Sequence, residues 1–172
     1  MKEKKPMKYY HKIIKSPVGE LKLVASDQGL AAVLWENDDP KRVPIGDSTA
    51  SSNNLILQEA EKQLNEYFEK KRTVFTVKLD FSGTPFQKKV WEALLNIPFG
   101  ETRTYGEIAR ELGDIKAVRA VGAANGKNPI SIIAPCHRVI GASGKLTGFA
   151  GGLDNKARLL QMEDSRKNPT LW

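Results

Sequence analysis

The most distinctive chemistry in the chain lies at its single cysteine, Cys136, which directly precedes His137, one of only two histidines. The thiolate is the reactive form of cysteine, and an imidazole readily accepts a proton near neutral pH. The alternative interpretation is a small buried apolar residue, as free cysteines commonly are. We favour a nucleophile, because Pro135 and the polar pair His137-Arg138 indicate a chain leaving the core, and basic neighbours lower the pKa of a thiol.

The adjacency of the two residues limits how they work together. Neighbouring side chains point to opposite faces of a strand and diverge by about 100° on a helix. We therefore expect His137 to take the proton of Cys136 through a bridging water or a sharp turn. Such an imidazole needs a partner, usually a carboxylate. The second half of the chain offers several, among which the sequence does not choose: Glu92, Glu101, Glu107, Glu111, Asp114, Asp154, Glu163 and Asp164.

Composition excludes several classes of protein. The 172 residues are 40% hydrophobic and 27% charged, which is typical of a globular chain. No apolar run approaches the roughly 18 residues of a membrane span, and the N-terminus does not resemble a signal peptide. One cysteine excludes an internal disulfide and a Cys/His zinc site, so we expect a metal-free, cytoplasmic protein. The net charge of +7 suggests a polyanionic partner.

The first half predicts a small β-sheet with one helix. Turn residues separate three β-prone runs, which we expect to pair as hairpins: 9–15, 21–26 and 30–35. Residues 37–54 are rich in polar and turn-forming residues and predict a loop. An apolar stripe predicts a helix over 54–70. Alternating apolar residues over 75–81 predict a further strand, which ends a domain at residue 82.

The second half predicts a helical domain, residues 83–172. Two capping boxes, Thr84–Gln87 and Thr104–Glu107, each open a helix. The second helix is expected to stop at Gly113, and Asp114 to cap a third over 115–126, which is the helix-turn-helix pattern.

Behind these helices we expect a hairpin and a final helix. The hairpin begins at Val139, turns at 142–144 and returns over 146–149. A last helix follows over 153–162, and 166–172 is a loose tail. The fold class is therefore α+β, with a winged helix-turn-helix-like second domain.

The helix over 115–126 consists almost entirely of small residues, and Arg119 is its largest side chain. Small residues allow close approach to a neighbouring helix or to a nucleic-acid groove, and the sequence leaves both open. Few of these side chains can read base edges, so a DNA-binding protein of this kind would show little sequence preference. The glycines over 141–152 lack the G-x-G-x-x-G spacing of a dinucleotide loop, which disfavours a dinucleotide or S-adenosylmethionine site of that type.

These motifs carry a resemblance to a known family. The segment Pro135-Cys136-His137-Arg138-Val139-Ile140, with Asn128-Pro129 and Arg119-Ala120-Val121-Gly122 before it and Gly151-Gly152-Leu153 after it, resembles the O6-alkylguanine-DNA alkyltransferases. Within this family of methylated-DNA–protein-cysteine S-methyltransferases it is most similar to the bacterial Ogt type. The likeness is specific over 84–163. Residues 9–82 fit the family's first domain, ribonuclease H-like, in outline.

The resemblance implies a single irreversible transfer of the alkyl group from O6 of guanine, or O4 of thymine, to Cys136, after the base has been flipped out of the duplex. His137 is implied as the water-mediated base and Glu163 as the carboxylate behind it. Asn128 is implied to support the active-site turn, and Tyr105 to donate a proton to guanine. Members of this kind act on double-stranded DNA with little sequence preference and without a cofactor, and we expect a monomer.

The resemblance also implies contact residues. Those facing DNA are Tyr105, Ala117, Val118, Arg119, Ala124 and Asn125, with Arg119 filling the space of the flipped base. Those lining the base pocket are Val139, Gly148, Phe149, Ala150 and Gly151. The carbonyl groups of Cys136 and Val139 are implied to accept from the guanine amino group. Some members carry a serine where this chain has Ala150, which leaves only a main-chain amide there. Some bind zinc in the first domain, and this chain lacks the cysteines for it.

Two other functions are consistent with parts of the sequence. A winged-helix regulator would use Cys136 as a structural or sensing residue and would bind a specific DNA sequence. The helix around Arg119 has few base-reading side chains, which argues against it. A thiol hydrolase would need the side chains of Cys136 and His137 to meet directly, which their adjacency disfavours.

Overall fold

The structure of the chain is a computed structural model that describes residues 8–164. It begins with a four-stranded sheet in the order β3-β2-β1-β4. The three predicted strands are confirmed as an antiparallel meander: β1 (Tyr9–Ile14), β2 (Leu21–Ala25) and β3 (Leu30–Trp35). The fourth, β4 (Ser48–Ala50), runs parallel to β1 within the segment predicted as a loop. Its three residues are partly or fully exposed, so no apolar pattern marks it.

The predicted helix is confirmed as α1 (Leu55–Phe68), and Asn54 caps its first turn. The predicted strand over 75–81 is wrong, because this segment forms only one isolated bridge, between Leu79 and Leu30. The side chain of Gln63 on α1 accepts from the backbone N–H groups of Thr76 and Val77, at 2.9 and 3.2 Å. The apolar alternation therefore reflects an extended segment that packs on α1 rather than a strand in the sheet.

The second half contains the predicted helices α2 (Pro85–Leu94), α3 (Tyr105–Glu111) and α4 (Val118–Gly126). Both predicted capping boxes form. Gly113 has a φ of 85°, a left-handed conformation that suits glycine and ends α3. Asp114 does cap the next element, but a 3₁₀ turn over Ile115–Ala117 precedes α4.

The segment over 139–149 differs from the predicted hairpin. After β5 (Arg103–Thr104), the strand β6 (Val139–Ile140) pairs with it in parallel. The predicted return strand over 146–149 is absent, and Gly141 donates to the carbonyl of Lys145 in a tight turn. The glycines of this segment have no side chain to pack against a sheet, which disfavours a strand here. Helix α5 (Leu153–Glu163) follows as predicted, and the predicted tail over 166–172 lies outside the described residues.

The segment that leads to Cys136 is packed into the core of the first half. Ile130, Ile132 and Ile133 belong to the same apolar cluster as the sheet and α1. The backbone N–H of Val33 donates to the carbonyl of Pro129 at 2.9 Å. Ile132 has a φ of 73°, which is strained for a β-branched residue and persists only where packing enforces it. The N-terminal sheet therefore fixes the path of the chain into Cys136.

The fold class is α+β, with a sheet-and-helix first half and a helical second half, as predicted. Within residues 8–164, no helix combines the length and apolar character that crossing a bilayer requires.

Candidate active site

Cys136 begins a 3₁₀ turn, Cys136–Arg138, that follows the buried apolar segment. Its backbone N–H donates to the carbonyl of Ala134 at 2.8 Å. The side chain of Asn128 spans this approach: its amide donates to the carbonyl of Ala134 at 2.8 Å, and its oxygen accepts from the N–H of Ile130 at 3.0 Å. Asn128 thus lies where it can support the turn that presents the cysteine.

The thiol of Cys136 is buried, with 4% of the residue exposed. Burial raises its pKa above the ordinary value, and four neighbours oppose that shift without reversing it. Two of them are hydrogen-bonding side chains and two are cations: Asn128, Ser131, Arg42 and Lys156. The expectation that basic neighbours lower this pKa is wrong in its net direction, because desolvation is the larger effect. A thiol held in the neutral form needs a base to become a nucleophile.

His137 and Glu163 form a buried pair, with Nε2 of the imidazole 2.7 Å from Oε2 of the carboxylate. Burial alone would raise the pKa of Glu163, but His137 and Arg138 outweigh it and lower this pKa to about 2. An ionised carboxylate only accepts hydrogen bonds, so Nε2 carries the proton and Nδ1 is the basic nitrogen. Nδ1 is buried and has no hydrogen-bond partner among residues 8–164. The thiol and the imidazole do not bond directly, in agreement with their adjacency.

Glu163 accepts from two further side chains. Arg138 donates to both oxygens, from Nε to Oε1 at 2.8 Å and from Nη2 to Oε2 at 3.1 Å. Tyr67 of α1 donates its hydroxyl to Oε2 at 2.5 Å. His137 and Arg138 are both buried, so the interpretation of this polar pair as a chain leaving the core is wrong. They remain inside because Glu163 accepts from both side chains and the carbonyl of Ile97 accepts from Arg138. Nδ1 of His137 is the one nitrogen of this pair left without a partner among residues 8–164.

Phe149 and Gly151, predicted to line the base pocket, pack against Trp35 of β3. The rings of Phe149 and Trp35 meet edge to face at 5.3 Å. A Cβ on Gly151 would lie 2.6 Å from the indole of Trp35, so any other residue there would require the indole to shift. The indole donates to the hydroxyl of Ser131 at 3.1 Å, which ties this wall to the Cys136 segment. Gly148 and Ala150 are exposed.

Lys156 of α5 is fully buried against the segment over 139–147, and sequence reasoning missed it. Its ammonium donates to the carbonyl of Val139 at 2.7 Å, and burial lowers its pKa. The carbonyl that was predicted to accept from guanine therefore already accepts from a lysine. A carbonyl oxygen has two lone pairs, so a second donor can share it. The hydroxyls of Tyr105 and Thr147 lie 2.6 Å apart beside it.

The residues predicted to face DNA divide into two groups. Val118 and Arg119 are exposed at the start of α4, and Ala117 and Tyr105 are partly exposed. Ala124 and Asn125 are buried. The carbonyl of Ala124 accepts from the indole of Trp91 at 2.8 Å, and the amide of Asn125 points at the carbonyl of Cys136 at 3.5 Å. These two side chains lie against the protein interior, which corrects their predicted place on the DNA face.

Arg42, within the predicted loop, joins the two halves of the chain and was also missed. It forms an ion pair with Asp38 at 2.6 Å. Its Nη1 donates to the carbonyl of Asn128 at 2.8 Å and to that of Gly126 at 3.2 Å. It thereby holds the end of α4 and the turn at Asn128 together. Sequence offers no signal for a pairing over 86 residues.

Within the part of the chain that the structure describes, no cluster of three or more His, Cys, Asp or Glu residues is arranged to hold a metal ion.

Comparison with known proteins identifies two family profiles that together span nearly the whole chain. Residues 9–81 match the ribonuclease-like domain of 6-O-methylguanine DNA methyltransferase, and residues 85–165 match its DNA-binding domain. A methylated-DNA–protein-cysteine methyltransferase of Methanosarcina acetivorans is 51% identical over 91% of this chain and 99% of its own length. One of Mycobacterium leprae is 59% identical over 86% of this chain and 88% of its own. The crystal structure of Mycobacterium tuberculosis OGT in complex with DNA superposes with a TM-score of 0.84, at 48% identity, over 91% of this chain and 94% of that one.

Proposed function

This chain belongs to the 6-O-methylguanine DNA methyltransferase family, and on that basis we propose that Cys136 is the residue that receives the alkyl group. The protein is a methylated-DNA–protein-cysteine methyltransferase that repairs DNA by direct reversal. The alkyl group passes from O6-methylguanine in DNA to a cysteine, and the chain has one cysteine to offer. The proposed substrates include O4-methylthymine.

One observation carries the assignment of the site: the buried thiol of Cys136 adjoins a His137–Glu163 pair whose free nitrogen is the basic one. Nδ1 of His137 accepts the thiol proton through a water, because the two side chains do not bond directly. The thiolate attacks the methyl carbon, the bond from that carbon to O6 breaks, and guanine leaves with the electron pair. The thioether has no easy route back, so each molecule acts once.

Tyr105 is the proposed proton donor to the departing guanine. Its hydroxyl is partly buried and lies 2.6 Å from that of Thr147. The carbonyls of Cys136 and Val139 are the proposed acceptors for the guanine amino group, with Phe149, Gly151, Gly148 and Ala150 around the base. A base within a duplex cannot reach a buried thiol, so it must be flipped out at a cost of a few kcal/mol.

The proposed DNA-contacting surface is the exposed start of α4, with Ala117, Val118 and Arg119, beside Tyr105 at the start of α3. Small residues allow close approach to a groove, and Arg119 enters the space of the flipped base. Contacts to phosphates supply affinity with little sequence information, as a search for lesions requires. The buried residues Ala124 and Asn125 are not part of this surface.

We further propose a division into domains at residues 82 and 83, and action as a metal-free monomer in the cytoplasm. The separate family profiles over 9–81 and 85–165 support the division. The lone cysteine suits a reducing compartment.

The direct test is incubation with duplex DNA that carries tritium-labelled O6-methylguanine. We expect label to move to the protein, to stop at one equivalent or less, and to stay on the DNA with the Cys136→Ser variant. Label that remains on the DNA with the unaltered protein would contradict the proposal.

A further inference from the structure

Tyr67 connects the first half of the chain to the proposed catalytic pair. It lies on α1, far in sequence from Glu163, and its hydroxyl donates to Oε2 at 2.5 Å. The same oxygen accepts from Nε2 of His137 at 2.7 Å. All three side chains are at least 99% buried. A phenol of the N-terminal half and the imidazole beside Cys136 therefore share one carboxylate oxygen.

Three donors leave the carboxylate of Glu163 little freedom to rotate. Arg138 binds both oxygens along one edge, at 2.8 and 3.1 Å. Tyr67 and His137 both bind Oε2. Since burial and the charge of Glu163 raise the pKa of Tyr67 well above its ordinary value, the hydroxyl stays protonated and keeps donating. Rotation of the carboxylate would break at least two of these hydrogen bonds at once.

The ring of Tyr67 is itself held in place. It packs against Phe68, Phe75 and Phe99, with ring centroids 5.2, 5.4 and 6.3 Å away. The guanidinium of Arg138 lies over the ring of Phe99, with Cζ 5.7 Å from the ring centroid. The two donors that flank Glu163 thus rest on one aromatic cluster, which lies at the junction of the two halves of the chain.

We propose that Tyr67 is a positioning residue for the alkyl transfer: it holds Glu163 so that Oε2 faces Nε2 of His137, which leaves Nδ1 as the nitrogen free to act as the base. The inference rests on the proposed function and gives the first domain a part in the chemistry. A buried tyrosine needs a partner for its hydroxyl in any case. What distinguishes a positioning role is its effect on the reaction rather than on folding.

The test is Tyr67→Phe, which keeps the ring and removes the hydroxyl, with Tyr10→Phe on β1 as the matched control. In single-turnover transfer from O6-methylguanine DNA, we expect the rate constant at saturating DNA to fall about tenfold, as for loss of one hydrogen bond to a charged group. The half-saturating DNA concentration should not change, because Tyr67 is buried away from the DNA surface. Tyr10→Phe should leave both quantities unchanged. A full rate constant in folded Tyr67→Phe would overturn the proposal, whatever its melting temperature.

A double-mutant cycle shows whether Tyr67 acts through Glu163. In a Glu163→Gln background, Tyr67→Phe should slow transfer no further, and an independent tenfold loss would overturn the proposal. Alkylation of the lone thiol by iodoacetamide, measured without DNA, separates this inference from the proposed function. It should slow about tenfold in Tyr67→Phe even if the protein transfers no methyl group, and an unchanged rate of alkylation would contradict the role of Tyr67.

Discussion

Nε2 of His137 lies 2.7 Å from Oε2 of Glu163, and both side chains are almost completely removed from solvent. Because the carboxylate is ionised, this contact decides which imidazole nitrogen carries the proton. Nδ1 is left as the base for a thiol whose own pKa is raised by burial. In the proposed reaction, this pair converts a cysteine that is neutral at rest into a nucleophile.

Glu163 should make stability depend on pH in the acid range. Its pKa is lowered from 4.5 to about 2 in the folded chain, so its contribution is complete above 4.5 and is lost as the pH falls through about 2. We expect the free energy of unfolding to fall across this window by an amount on the order of 3 kcal/mol. Urea unfolding of the unaltered protein and of Glu163→Gln measures it. The variant should lack this component, and two parallel pH profiles would contradict the account.

Arg42 should stabilise the junction between the two halves. Arg42→Ala removes the donors to Asn128 and Gly126 and leaves Asp38 without its cation. We expect a loss of about 2 kcal/mol in the free energy of unfolding. Lys41→Ala is the matched control, because Lys41 is exposed, and it should change stability by less than about 0.5 kcal/mol. Equal losses in the two variants would contradict the role given to Arg42.

Arg119 should matter for a base in a duplex and not for the chemistry itself. Its side chain is exposed at the start of α4, away from the buried His137–Glu163 pair. For Arg119→Ala we expect transfer from duplex DNA to slow at least about tenfold, since the flipped state loses its wedge. Transfer from the free methylated base should keep its rate. The control is Lys62→Ala, an exposed position on α1. Equal slowing with both substrates would place Arg119 in the chemical step instead.

Gly151 and Gly148 form a matched pair in the connection between β6 and α5. A Cβ on Gly151 would lie 2.6 Å from the indole of Trp35, while one on Gly148 would meet nothing within 4 Å. The indole cannot easily retreat, because it is buried and donates to Ser131. We expect Gly151→Ala to cost about 1–3 kcal/mol and Gly148→Ala less than about 0.5 kcal/mol. Thermal unfolding measures both, and similar melting temperatures would show that Trp35 yields.

The local features were predictable because their physics is local. Each capping box needs only four consecutive residues, and both form as expected. The adjacency of Cys136 and His137 disfavoured a direct bond between their side chains, and none forms. The three strands of the meander follow from short β-prone runs between turns. The predicted strand over 75–81 was wrong because apolar alternation reports one buried face and not a ladder of hydrogen bonds.

The remaining site residues depend on contacts between distant parts of the chain. Tyr67 and Glu163 are 96 positions apart, and Arg42 and Asn128 are 86 apart. Arg138 looked like a sign of exposure because its partner, Glu163, is 25 residues away. Lys156 is buried because its ammonium meets a carbonyl on another element. A single amino-acid sequence shows that such residues are charged, but it does not show the distant partner that allows them to be buried.

The most direct test is to identify the residue that carries the methyl group after the reaction. The protein is mixed with duplex DNA that carries tritium-labelled O6-methylguanine, digested, and its peptides are separated and analysed by mass. We predict one labelled peptide, which contains S-methylcysteine at position 136, at one methyl group or less per chain, with unmodified guanine restored in the DNA. Label on any other residue, label in Cys136→Ser, or methyl transfer that continues past one equivalent would contradict it.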